Sequence, residues 1–423
     1  MTPARLRGLR GSGIRPDMEL IDIGAVTVAG LATIDRIWRA GLIARFRRRT
    51  TPTVRHEGPL PLVTILQPVV SGDERLEAVM RATLQAKNAH RVEVLWLAET
   101  DDVEAAAITA RLVAGLDGSG AVTARLVPVP KPGPHDSPKM NAMCAGFAVA
   151  TGDVIISLDD DTCLKDGDVD AAVAALDGPD VGLSFFMPCY VSHGTWWSSL
   201  LSVFVNASGI PTYVASEAVG ATTMPGVFWA MKRSVLEGLG GFERFRHMIV
   251  DHEGQQAAVR AAGLRMVPLP RTHDTETSLS SARDYVTIMQ RWFTYARDGY
   301  FRTHGARVIA ATVVIGMVPT MLPLVALLLL ALQPDVVTAA AVAVTFLGHW
   351  LTFKWLDATW LGGRCPPGRS LLVPVSTVLL PLHIIAALVL PPRLRWRGQL
   401  IELDGRGGFR ILEARRRPAT IGA

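Results

Sequence analysis

The chain has 423 residues, 49% of them hydrophobic, and 43 Lys and Arg against 38 Asp and Glu give a formal net charge of +5. With a mean hydropathy of +0.28 it is too apolar for an ordinary soluble protein and too charged for a pure membrane bundle, so a globular part and a membrane part are expected together. Its four cysteines, Cys144, Cys163, Cys189 and Cys365, stand apart in no CxxC or His-paired pattern, which argues against a zinc site or a disulfide framework.

Residues 21–43 are mostly apolar but include Asp22, Asp35, Arg36 and Arg39. They read either as a span or as an amphipathic helix lying on the membrane, with Arg45, Arg47, Arg48 and Arg49 against anionic head groups. The apolar run starts late and no small-residue cleavage site follows, unlike a cleaved signal peptide. The basic cluster just ahead of the globular part places that part on the cytoplasmic face, so a multi-pass protein of the inner (cytoplasmic) membrane is expected. The positive balance then reads as attraction to the membrane surface; residues 58–300 show no basic patch interleaved with aromatics, which argues against nucleic acid.

Residues 61–70 form a strand-type apolar run, and helical spacing follows Gly72 through Leu76, Val79, Met80 and Leu84. A second strand at 92–98 runs into Glu99, Thr100, Asp101 and Asp102. A helix at 104–116, a strand at 122–129 and a helix at 142–150 lead to the strand 154–158, which ends in Asp159, Asp160 and Asp161. Strands alternating with helices and ending in carboxylates are the layout of a nucleotide-binding α/β sheet, whose ligands sit beyond the carboxyl ends of the strands. Three adjacent anions are tolerable as a solvated turn capping the next helix or when neutralised by a cation; oxygen-only ligands favour Mg²⁺ or Mn²⁺. Alternation along an extended chain puts Asp159 and Asp161 on one side.

Residues 196–205, with Trp196 and Trp197 ahead of an apolar run, suit either an interfacial helix near the site or a core helix. After Arg307 an uncharged stretch, 308–333, is long enough to cross a bilayer, with Pro319 and Pro323 to kink it; 336–353 and 371–390 are further spans. Three crossings after a cytoplasmic domain would put the Arg-rich tail from Arg393 outside. The segment 371–390, broken by Pro374 and Pro381, is therefore expected to be re-entrant or interfacial. Few ionisable residues lie in the spans beyond His349, Lys354 and His383, which argues against a transporter. The division expected is an N-terminal anchor with a basic linker (1–57), an α/β domain (58–300), transmembrane or re-entrant helices (301–392) and a basic tail (393–423).

The motifs run in the order Glu99-Thr100-Asp101-Asp102, Ser137-Pro138-Lys139-Met140-Asn141, Asp159-Asp160-Asp161, Gly226 to Arg233, Leu239-Gly240-Gly241-Phe242 and Arg291-Trp292, with Trp396-Arg397-Gly398 in the tail. Over roughly 58–300 this order resembles family 2 glycosyltransferases of the GT-A fold, and among them ceramide glucosyltransferases and related bacterial hopanoid glycosyltransferases. The resemblance implies an α/β, Rossmann-like nucleotide-sugar domain followed by C-terminal membrane helices. It implies Asp101 or Asp102 on the base or ribose, Lys139 on the diphosphate or the domain's own acids, Asn141 in the segment before the metal strand, and Asp161 as metal ligand with help from Asp159. Two positions depart from the pattern. Val250-Asp251-His252-Glu253 stands where the family has a Glu-Asp or Asp-Asp pair, and an ungapped comparison puts His252 at the base position. Asp251 is preferred as base, with His252 and Glu253 as rivals. Ile288 occupies a position expected to be Gln or Arg.

The expected reaction is an inverting, metal-dependent transfer of a sugar from a nucleotide sugar, a UDP-sugar first, to a membrane lipid hydroxyl. Ceramide leads, with hopanoid or diacylglycerol acceptors behind it, and the product belongs to glycolipid or sphingolipid metabolism. The leaving diphosphate needs positive charge, from the divalent cation and Arg291, while Trp292 offers an apolar wall; the attacking hydroxyl needs a base. A processive polysaccharide synthase and a catalytically inactive membrane scaffold are the alternatives. The short membrane portion and Ile288 argue against a polymer channel.

Overall fold

The computed structural model describes residues 16–51, 59–116, 118, 120–301, 304–396, 399–404 and 408–413. The expected boundary at 57/58, and Arg397 and Gly398 of the tail motif, lie outside these residues.

Helix α1 (Pro16–Arg47) precedes an alternating series: β1 (Val63–Pro68), α2 (Leu76–Gln85), β2 (Val92–Glu99), α3 (Val103–Ala114), β3 (Val122–Val129), α4 (Pro138–Val149) and β4 (Val154–Leu158). Then come β5 (Thr162–Cys163), α5 (Asp168–Ala174), β6 (Val181–Tyr190), α6 (Trp196–Phe204), α7 (Ile210–Ala218), β7 (Phe228–Lys232), α8 (Arg233–Gly238), α9 (Asp251–Ala261), β8 (Arg265–Thr275) and α10 (Ala282–Tyr295). The sheet order is β3-β2-β1-β4-β7-β6-β8-β5. Strands β3, β2, β1 and β4 pair in parallel, β7 runs antiparallel to β4 and β6, β6 and β8 are parallel, and β5 is antiparallel to β8.

The mostly apolar β1, β2 and β4, with every residue of β1 and β4 buried, are strands covered on both faces, and two cores form accordingly. Leu66, Leu95, Leu97 and Ile155 pack with Met140 and Met143 of α4; Ile65, Val94, Trp96 and Ile156 pack with Leu76, Met80, Ile108 and Val169 on the other face. Ile43 and Phe46, from the last turns of α1, enter the first core beside Leu356 and Leu361, so the N-terminal helix is packed into the sheet domain.

Three differences from the sequence expectation have physical causes. Helix α4 starts at Pro138 and not at 142, because Ser137 caps it, accepting from Met140 N at 3.4 Å, and Pro138 occupies a first-turn position where its missing N–H costs nothing. Strands β6 and β8 were not anticipated: Pro188, Pro268 and Pro270 read against central strands, and the register shift between Phe185 and Met187 leaves Pro270 in the unpaired stretch of β8 between Pro268 and Thr272. The tail, expected only as basic, forms an antiparallel sheet of β9 (Arg393–Trp396), β10 (Gln399–Leu403) and β11 (Phe409–Glu413).

Among the described residues three helices are long and apolar enough to cross a membrane: Ala306–Leu332, Val336–Thr359 and Pro367–Val389. The first comprises α11 (Ala306–Thr312), a π turn (Val313–Met317) and α12 (Val318–Leu332), the second is α13 (Val336–Thr359), and the third contains α14 (Leu372–Val389). Helix α1 lies along α12 and α13, and α14 packs on α6, α10, α12 and α13.

Candidate active site

Because β1 pairs in parallel with both β2 and β4, the acidic ends of β2 and β4 flank the loop after β1. Asp160 accepts from Val70 N at 3.1 Å and Asp102 from Ser71 N at 3.1 Å. The two acidic strand ends thus hold one loop between them, and Asp102 also caps α3 through Ala105 N at 3.1 Å. Asp101 is more exposed and pairs with Lys131 at 3.0 Å.

The three consecutive aspartates have separate surroundings. Asp159 accepts from Lys139 Nζ at 2.7 Å, Asp160 holds the β1 loop, and Asp161 accepts from Thr277 Oγ1 at 2.8 Å and Thr162 Oγ1 at 3.3 Å. Burial, with the charges of Asp159 and Asp160 beside it, pushes the Asp161 carboxyl up to about 7. Its excess of negative charge is the feature a cation would relieve. Among the described residues no group of three or more His, Cys, Asp and Glu side chains is arranged to hold a metal ion.

Lys139 lies in the first turn of α4 and reaches across the site, with Nζ 2.7 Å from Asp159 and 3.8 Å from Asp251. Asn141, one helical step on, is a brace: its Nδ2 donates to Pro130 O at 2.7 Å and its Oδ1 accepts from Arg246 at 3.2 Å. Asp251 is buried at the start of α9, on the Lys139 side. Glu253 is buried too, but its neighbours are His252 at 3.6 Å and His304 at 3.8 Å, and burial raises its carboxyl above the ordinary range. The His252 ring lies against Gly226, where φ is +78° and an added Cβ would come within 2.8 Å of the ring. Only glycine suits both the left-handed backbone and that close approach.

Arg291 and Trp292 sit on α10, which opens with a Ser281–Asp284 capping box. The Trp292 ring stands edge-on to Tyr190 at 5.9 Å and 6.4 Å from Phe204. Ile288 packs in the same apolar cluster, beside Trp197 and Trp292. Arg291 makes no ion pair or hydrogen bond among the described residues. Its charge acts on two buried phenols: burial raises Tyr190, Asp161 adds to that and Arg291 opposes it, while Tyr295, also raised by burial, feels Arg291, Asp251 and Lys139.

The structure therefore groups Lys139, Asp159, Asp161, Asp251 and Arg291 around Tyr190 and Tyr295. It sets Glu253 beside His252 and His304, turns His252 to Gly226, and gives Asp102 and Asn141 backbone-bracing bonds. Tyr190, Tyr295 and Thr277 were not anticipated. Tyr295 had a signal in its i, i+4 spacing from Arg291 on one helix face; Tyr190 and Thr277 join the site only through the sheet.

The sequence profile described as Glycosyl transferase family 21 matches residues 26–408. No curated protein sequence matches. Among solved structures the chain is similar to the mannosyltransferase PcManGT from Pyrobaculum calidifontis, in complex with GDP-Man and Mn²⁺, at 17% identity over 86% of this chain and 99% of that one, with a TM-score of 0.49. It is also similar to M. tuberculosis glucosyl-3-phosphoglycerate synthase, at 16% identity over 60% of this chain and 81% of that one, with a TM-score of 0.33. The expectation of a glycosyltransferase is met, and the family whose profile matches is family 21. With a family match that runs over nearly its whole length, the chain belongs to glycosyl transferase family 21 and is a glycosyltransferase.

Proposed function

We propose that this glycosyltransferase moves a sugar from a nucleotide diphosphate sugar, a UDP-sugar first, to the hydroxyl of a membrane lipid, with ceramide the leading acceptor. The observation that carries this reading is that α10, the helix bearing Arg291 and Trp292, packs along the apolar α14: Tyr285 meets His383 at 3.2 Å and Arg297 donates to Leu390 O at 3.0 Å. One wall of the site is therefore continuous with the membrane helices, which favours an acceptor whose tail stays in lipid.

Asp251 takes the role of general base, accepting the proton of the attacking hydroxyl. Lys139, between Asp251 and Asp159, is placed to pass from Asp159 to a diphosphate oxygen, and Arg291, without a protein partner among the described residues, adds a second fixed cation. Trp292 and Tyr190 form an apolar wall, and an in-line displacement inverts the anomeric centre. The acid set fits a divalent ion of the kind that one or two carboxylates hold together with substrate phosphates: Asp161 carries the uncompensated charge and Asp159 lies beside it. Bound there, Mg²⁺ or Mn²⁺ would supply positive charge to the leaving diphosphate.

Polar contacts between distant segments support a topology. Gln333, between α12 and α13, donates to Asp22 near the start of α1 at 2.7 Å, while Arg47 at the end of α1 donates to Thr359 Oγ1 at the end of α13 at 2.6 Å. Helix α1 thus runs the length of α13 and crosses with it. Arg364, after α13, pairs with Asp274 of the sheet at 3.0 Å, and the tail sheet packs Leu394, Ile401 and Phe409 on Ile249 and Val250. Both ends of α14 are then on the domain side. We assign crossings to α1, α11–α12 and α13, an in-plane or re-entrant course to α14, and, from the basic end of α1, a cytoplasmic face to the domain.

The test is a matrix assay of membranes containing the protein with Mn²⁺ or Mg²⁺, UDP-sugars, and ceramide, diacylglycerol or bacteriohopanetetrol, with products read by mass spectrometry. One new glycolipid that disappears in Asp161→Ala is the expected result. A sugar polymer, or no lipid product from active donor-hydrolysing protein, would overturn it.

A further inference from the structure

A second polar cluster lies away from the sheet, among the membrane helices. Arg36 and Arg39 of α1 are 8% and 2% exposed. Both pair with Asp35, Arg39 at 2.9 Å from its Oδ1. His349 of α13, also lining this place, feels the charges of Arg36, Asp35 and Arg39. Two guanidiniums thus share one carboxylate, leaving one positive charge in excess among the described residues. Isolated buried charge is costly, and in a membrane protein it marks a ligand or a pathway.

The bonds separate the two arginines. Arg39 donates to Pro211 O at 3.2 Å and to Ile315 O in the π turn of the first span, so it ties α1 to α7 and to that span. Arg36 uses Nε and Nη2 on Asp35 alone, and its Nη1 makes no bond among the described residues. A small cavity of about 20 Å³ lies beside it, lined by Arg36, Arg39, Ser208, Thr212, His349 and Thr377, among others. Thr212 and Thr377 spend their hydroxyl protons on the carbonyls of Ser208 and Val373, whereas the Ser208 hydroxyl makes no bond among the described residues. Arg36 Nη1 and Ser208 Oγ, two donors without a bond among the described residues, thus belong to side chains that line a space with room for about one oxygen atom.

Depth indicates whose oxygen. The exposed apolar side chains of α1 run from Met18 to Trp38, roughly 30 Å at the helical rise, which is close to the thickness of the hydrocarbon layer. Trp38 sits where aromatic residues mark the membrane interface. The cluster lies at the domain-side edge of that layer, at the level of phospholipid glycerol and phosphate.

We propose that Arg36, Ser208 and their surroundings bind a phosphate oxygen, that of a membrane phospholipid, between α1, α7 and the spans. The assignment is independent of the acceptor. It is tested with the full chain, detergent-extracted from vesicles of phosphatidylglycerol and phosphatidylcholine and examined by native mass spectrometry, in parallel with thermal-shift titration by inorganic phosphate. The wild type is expected to retain one phospholipid through delipidation, with retention at least tenfold weaker in Arg36→Gln and reduced in Ser208→Ala. Stabilisation by free phosphate that is lost in either variant would assign the same site to a soluble anion. No bound phospholipid and no phosphate effect, or retention equal in wild type and variants, would overturn the proposal and leave the cluster as a tie between helices. If Arg36→Gln does not fold, the Ser208→Ala comparison decides alone.

Discussion

Asp251 and Glu253 are two residues apart on α9 and meet opposite surroundings, one facing Lys139 and the other enclosed with His252 and His304. If Asp251 is the base, Asp251→Asn lowers kcat by about 10²–10⁴-fold with donor affinity kept, and Glu253→Gln leaves kcat within about tenfold; steady-state kinetics with donor binding measured separately would read this, and the reverse order would move the base to Glu253. Gly226 is a second residue-scale test. Gly226→Ala adds a Cβ at a left-handed position against the His252 ring, which should cost at least about 1–2 kcal/mol from the backbone alone. A melting curve checks it, and His252→Ala in the same chain should recover only the part due to the clash. His273 is fully buried on β8 and burial lowers its imidazole to about 3. In the unfolded chain it titrates near 6.5, so below that pH the unfolded state binds the extra proton and stability is lost as pH falls towards 3, by about 1.4 kcal/mol per unit. Denaturant titrations between pH 7 and 5 should show this slope reduced in His273→Phe.

At the scale of elements, local sequence rules hold where a side chain near in sequence satisfies the backbone. Ser137 with Pro138, Asp102 and the Ser281–Asp284 box each start a helix. Other elements take their role from distant partners. Helix α1 was ambiguous between spanning and lying on the membrane, since its charges are spaced among apolar residues; the partners that place it, Leu356 and Leu361 in one core with Ile43 and Phe46, and Gln333 on Asp22, lie hundreds of positions away. Phe46→Ala should therefore destabilise the catalytic domain itself, by about 3–5 kcal/mol, seen as a lower denaturation midpoint of the sheet. If only membrane insertion changed, α1 would be an independent anchor.

For the whole molecule, the loop 360–366 and the tail sheet both return to the catalytic domain, which conflicts with three full crossings after it. The count balances when α14 stays on the domain side. Cysteines introduced at exposed positions test this: Pro334→Cys should react with an impermeant maleimide from outside intact cells, and Arg410→Cys only after permeabilisation. Labelling of Arg410→Cys from outside would make α14 a crossing helix.

Residue types and their order were enough to indicate an α/β sheet with acidic strand ends, an apolar C-terminal region and the family's motifs, because buried strands, spans and carboxylate clusters are written in contiguous residues. The strand limits Val122–Val129 and Val154–Leu158 were legible for that reason. The separate surroundings of Asp159, Asp160 and Asp161, the entry of Tyr190 and Thr277, and the tail as a packed sheet were decided only by tertiary structure. Each depends on which distant backbone or side chain fills the space opposite, and no local pattern encodes that partner.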